Sequence, residues 1–465
     1  MKRWVIMFSV IVVAGCESPQ PVTEEDPIVV MLDTSREPFE RRKAAKQAEK
    51  EFGNTARRIS ALYKIIWGAR YPTLERTYAI DQLLMHDRKT FRGILKTRLL
   101  QIDDVGAFDH VLKQIAERKW TEFTPILVHS YARSRSFVKD TDRVERPAIE
   151  KLNPGQSVEQ VIYETFIRSD ERVSADQQAA AWELLNRLLD RAAVEKKLAD
   201  APGKNVLVYD IKLANEQLGV LPTDREGLLR LLHLRAPEQY RFWRAARVIV
   251  ERLPKGKRAE LQMRHLPALI QLDESTIGST KEQLLKRVRG ALKNAEHHLA
   301  PGRYDLRPES YPQGIDDWAA KLTWADLASL HVLLASLSSD LAVRNLFREA
   351  DADLKDTETE YGGVIDRVDG KTIVKPYAPL IRGNDRIFHP SPAMIEHSYS
   401  ALAHYHLHAQ KEDNRGAAGP GIRDRRFADR MKATCLVFTF IDHDRLNVDY
   451  YQPGGVVIDL GTLRR

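Results

Sequence analysis

Cysteine is almost missing from this chain: of 465 residues only Cys16 and Cys435 are cysteines, which excludes a disulfide-stapled small domain. Glycine (24) and proline (22) are too sparse for a collagen-like repeat or a low-complexity polymer. The apolar run Trp4 to Val13 is ten residues long and broken by Ser9, whereas a permanent membrane-spanning helix needs about 20. Excess charge is small too, 72 − 65 = +7. The two signs are interspersed, as on solvated helix faces, and not gathered into a stripe that tracks phosphates, so no nucleic-acid partner is expected. What is present is a globular composition, 43% hydrophobic and 29% charged. At roughly 100 to 200 residues per domain, the length leaves room for two to four cores.

Lys2 and Arg3 precede the apolar run and complete the outline of a secretory signal. Val13-Ala14-Gly15-Cys16 resembles the lipobox of bacterial lipoproteins. That resemblance implies removal of residues 1–15, a lipid on Cys16 and a membrane-anchored, extracytoplasmic place in the bacterial cell envelope. Glu17, where inner-membrane retention is associated with Asp, favours the outer membrane. The mature balance becomes 70 − 65 = +5. Cys435 is then the sole thiol. It opens the apolar run Cys435 to Ile441 and reads as a small buried hydrophobe, not a nucleophile.

Residues 16–37 carry three prolines and several acids without apolar periodicity, and read as an extended lipidated tether. From 38 to 350 the pattern predicts ten or more helices, a bundle or an irregular array of helix pairs, with a possible subdomain break near 200–222. Ser157-Val158-Glu159-Gln160, Ser174-Ala175-Asp176-Gln177 and Thr223-Asp224-Arg225-Glu226 each look like a capping box before an apolar helical face. After Ala236-Pro237 the buried side is expected to carry Phe242, Ala246, Ile249 and Leu253. Leu327, Leu330, Leu334, Leu337 and Leu341 predict a strongly amphipathic helix behind a Thr323 cap.

Near residue 355 the grammar changes. Val364 to Val368 and Lys371 to Val374 flank Asp369-Gly370, a dipeptide suited to a tight hairpin. Ser391-Pro392 starts a short helix; Cys435 to Ile441, Leu446 to Tyr450 and Gly455 to Leu460 read as strands. The expected fold class is therefore α plus α/β, with a large helical region followed by a small α/β domain over 355–465.

Within that domain, His404, His406 and His408 alternate, so on a strand they project from one face. Two imidazoles could grip a metal ion, and Asp424, on the apolar side of a helix with Phe427, Ala428 and Met431, is a candidate third ligand. Glu360 stands beside Gly362-Gly363 at the start of the first strand. His404 is expected to pack behind the pair, and Glu396-His397 to be ordinary surface.

This arrangement resembles the JAMM, or MPN-type, metallopeptidases, whose pattern is a Glu near a Gly-containing first strand, His-x-His, then Ser and, after two intervening residues, Asp. The resemblance covers 355–465 and implies a cytidine-deaminase-like core. It makes His406, His408 and Asp424 ligands of Zn2+, and Glu360 the general base that takes a proton from the attacking water. Two features depart from the pattern. Gly421 stands where the family has the oxyanion-holding Ser, and twelve residues separate His408 from Gly421. Two functions follow: a membrane-tethered zinc hydrolase of peptide or isopeptide bonds acting on a protein or peptide substrate, or an inactive MPN-like scaffold that binds partners through its helices. Retention of Glu360 favours the first; Gly421 favours the second.

Overall fold

Capping side chains start many of the helices. In the computed structural model, which describes residues 25–465 except 134–137, 171, 204, 299–310 and 384–386, Ser157 accepts from Gln160 N and Ser174 forms a full capping box with Gln177. The signal segment 1–15 and Cys16 lie outside the described residues. The chain divides into two compact units between Gln156 and Ser157. The first unit is helical from Pro27–Leu32 to Glu145–Leu152 and buries Leu62, Leu83, Phe91, Leu112 and Ile149. Arg41 with Glu75 (3.0 Å) and Arg143 with Glu145 (2.9 Å) are ion pairs inside it. Among the described residues no single helix is long and apolar enough to cross a membrane.

Four local expectations need correction. The tether reading fails at Pro27–Leu32, which is helical: Asp26 caps it, Pro27 occupies its first turn, and Ile28 and Met31 are buried one turn apart. The cap expected at Thr223 belongs to Asp224, whose carboxylate accepts from Gly227 N. The helix Tyr240–Arg252 buries Ala246 and, just past its end, Leu253 as expected, but Trp243 and Val250 take the places expected for Phe242 and Ile249, because the indole and not Phe242 fills the core. The leucine helix runs Trp324–Leu337 and is buried nearly all round, so it is a central element and not an amphipathic one; Leu341 lies beyond its end and is exposed.

The second unit continues with helices from Val158–Ile167 to Asp340–Lys355 and ends in one six-stranded sheet. The strands are β1 (Gly362–Val368), β2 (Lys371–Tyr377), β3 (Ala403–His408), β4 (Cys435–Asp442), β5 (Arg445–Gln452) and β6 (Val456–Arg464). Their order is β2-β1-β3-β4-β5-β6, and only β3 and β4 run parallel. The α plus α/β class is thus observed. The β1–β2 hairpin turns through Asp369 (φ 50°) and Gly370 (φ 74°), both left-handed as the dipeptide suggested. Helices Pro392–Ser398 and Ile422–Met431 cover one face with Met394, Ala428 and Met431, while Phe347 of helix Asp340–Lys355 meets Phe440 on the other. At Gly362 and Gly363 the backbones approach too closely for a side chain: an added Cβ would stand 2.6 Å from Tyr405 O and 2.2 Å from Lys375 O respectively.

Candidate metal centre

Alternation along β3 turns Tyr405 and Leu407 to one side and His404, His406 and His408 to the other. Register places Gly362 of β1 opposite His406, and the ladder continues as Leu407 N donates to Tyr361 O (2.9 Å). Glu360 is therefore brought beside the two imidazoles. From the far side of the crossover, Gly421 begins helix Ile422–Met431 and Asp424 sits in its first turn, accepting from Gly421 N at 2.8 Å, where the helix dipole favours a carboxylate.

The four side chains expected to form the site converge. His406 Nε2 and His408 Nε2 are 3.2 Å apart. Asp424 Oδ2 stands 3.5 Å from the first and 3.9 Å from the second. Glu360 Oε1 stands 4.0 Å and 3.6 Å from the same two atoms. Glu360, His406 and His408 lie close enough together to bind a metal ion. A tetrahedral ion with bonds of 2.0 to 2.1 Å needs donors about 3.4 Å apart, so the spacing of the imidazoles with Asp424 fits with shifts of a few tenths of an ångström. His408 Nδ1 lies 2.7 Å from Ala417 O. A carbonyl can only accept, so Nδ1 carries the proton and the Nε2 lone pair faces the site.

Electrostatics agrees with a place for a cation. Burial works to lower the pKa of His406, but the Asp424 and Glu360 carboxylates outweigh it and push it up to about 8. Burial and then the neighbouring His406 bring His408 down to about 4. For Asp424, burial raises the pKa, yet His406 and His408 hold it well below the usual carboxylate range. Two acids and two imidazoles crowded in this way are relieved by a bound divalent ion.

No family model, curated protein or solved structure matches the chain. The site stands on its own geometry.

Sequence reasoning missed three supporting groups. Asp353, buried on helix Asp340–Lys355, accepts from Tyr361 N (2.9 Å) and Ala409 N (3.3 Å), pinning the segment after Glu360 and the end of the His-bearing strand to one carboxylate. It falls on the buried stripe Leu346, Phe347, Ala350, and an acid on such a stripe was the available signal. Tyr451 directs its hydroxyl towards His406 Nδ1 at 3.4 Å. Tyr311 donates to Pro420 O (2.9 Å) and tethers the crossover loop that leads to Gly421.

His404 is buried between the rings of Phe388 and Phe427, 5.9 Å and 4.7 Å away, and takes no part in the cluster. His397 is more than surface: it lies 2.8 Å from the Tyr377 hydroxyl and 3.2 Å from Asp366, joining its helix to the hairpin, because its ring sits at the sheet-facing end of a short helix. Cys435 is fully buried and burial pushes its thiol up, which leaves it unreactive.

Proposed function

We propose that the chain is a zinc-dependent hydrolase of peptide or isopeptide bonds of the JAMM type, anchored outside a bacterial cytoplasm by lipid on Cys16. One observation carries the reading: two Nε2 atoms 3.2 Å apart, with carboxylates from two separate elements within 4.0 Å of both. Imidazole nitrogens with a carboxylate suit zinc, whereas magnesium and calcium prefer all-oxygen sets. His406, His408 and Asp424 would hold the ion, which when bound polarises a carbonyl and acidifies water.

The remaining chemistry belongs to the protein. Glu360 is buried beside the imidazoles, in reach of a water held there; it takes that water's proton and passes it to the leaving amine. Ala417 O fixes the His408 tautomer, and Asp353 keeps Glu360 and His408 in register. The outer-membrane destination rests on the lipobox-like segment and Glu17.

Purified protein is expected to carry about one zinc per chain. His406→Ala or Asp424→Ala lowers that content, and Glu360→Gln keeps it while abolishing cleavage of a peptide library. A folded wild type that takes up no zinc contradicts the proposal. A second reading, a non-catalytic scaffold binding partners through its helices, is favoured by one observation: Gly421 offers no side chain to an oxyanion. Zinc uptake without cleavage of any substrate would select it.

A further inference from the structure

Arg230, on helix Arg225–Arg235, is only 4% exposed, yet its guanidinium makes no hydrogen bond and no ion pair among the described residues. The nearby acids are engaged elsewhere. Glu226 accepts from the Tyr399 hydroxyl at 3.2 Å, and Asp224 caps the helix through Gly227 N at 2.8 Å. Tyr399 presents only its ring, 5.7 Å from Arg230 Cζ. The second buried guanidinium, Arg264, is already neutralised by Asp326 at 2.6 Å and also donates to Gln262 and Gln452 at 2.9 Å. No carboxylate therefore touches the Arg230 guanidinium itself among the described residues.

A small cavity is lined by Arg230, Arg264, His404 and Thr434, with Leu402 and Ala433 as apolar wall. It has room for the centre of about one water-sized particle. The Thr434 hydroxyl and both ring nitrogens of His404 are buried without partners, so the hydroxyl and one imidazole N–H are unspent donors. No carboxylate lines the space. Burial, together with repulsion from Arg264, brings Arg230 down to about 10 despite Tyr399, Asp224 and Glu226.

We propose that this cavity binds a small monovalent anion of chloride size, held by the Arg230 guanidinium with Thr434 and His404 as hydrogen-bond donors. A water could accept the same hydrogen bonds but would bring no negative charge into contact with the guanidinium. A phosphate ester is too large for the space. The anion bridges helix Arg225–Arg235 to β3, the strand that carries His406 and His408, and so ties the helical layer to the floor of the metal centre. It does not depend on the nature of the metal.

Thermal unfolding of the full chain in sodium chloride, sodium bromide or sodium gluconate at equal ionic strength tests this. Chloride and bromide are expected to raise the midpoint saturably, by a few degrees over gluconate. Arg230→Gln, which removes the charge while filling much of the space, is expected to abolish the difference, and Thr434→Val to reduce it. A wild-type midpoint equal in chloride and gluconate overturns the proposal, as does an Arg230→Gln protein with the wild-type chloride response. Should that variant not fold, wild-type crystals grown in bromide decide: an anomalous peak against Arg230 supports the site, and its absence at saturating bromide refutes it.

Discussion

Gly421 is where a single residue decides most. Its φ of −68° is open to any amino acid, and an added Cβ would meet only Asp424 Oδ2 at 3.4 Å, an ordinary contact. Serine therefore fits. Gly421→Ser is expected to leave zinc content unchanged, to alter stability by no more than a few tenths of a kcal/mol, and to raise any measured turnover on the order of tenfold or more. Steady-state kinetics beside metal analysis checks it; a rate that falls while zinc stays bound would show that the position does not face the reacting carbonyl. Glu360, His406, His408 and Asp424 could be picked out by residue type and order alone, because imidazoles two apart on a strand must share a face. Asp353 could not be assigned its partners, since Tyr361 and Ala409 come to it only through tertiary packing. Arg230 was equally hidden: nothing in a sequence tells a solvated arginine from one sealed against a strand.

At the level of elements, the site depends on helix Asp340–Lys355 gripping two strands at once. Asp353→Asn can still accept one of the two backbone hydrogen bonds but opposes an amide to the other. It is expected to cost about 1–3 kcal/mol in urea unfolding and to weaken zinc about 10- to 100-fold in competition with a chromophoric chelator. Unchanged affinity would make Asp353 purely structural. The strands and the hairpin were readable because their cues are local: Asp369-Gly370 for the turn, an unbroken apolar run for β4. Helix faces were less so. Near Tyr240–Arg252 both Phe242 and Trp243 satisfy the period, and only the packing of the indole selects between them. Around Trp324–Leu337 the leucines suggested one wet side, but the alanines and serines between them are small enough to be buried as well.

For the molecule as a whole, a buried histidine sets an acid limit. His265 is fully buried between Arg264 and Asp326, and burial, then Arg264, lowers its pKa to about 4. The native state thus keeps it neutral while the unfolded chain takes a proton near pH 6.5. Its stability contribution is complete above that pH and is lost as pH falls towards 4, by up to about 3 kcal/mol. Urea midpoints between pH 7 and 4.5 should fall accordingly, and His265→Gln should flatten the slope; an equal slope in the variant would move the cause elsewhere. The division at Gln156 was not legible, because helices on both sides of it share one composition.

The parallel pairing of β3 with β4 has a consequence for biosynthesis. Parallel neighbours need a crossover between them, and Asp424 rides on that crossover while Glu360 lies before it. A nascent chain halted just short of Cys435 has already made all four side chains, but lacks the central strand against which they are brought together. On the proposed zinc reading, ion loading is therefore expected to wait until β4 has left the ribosome.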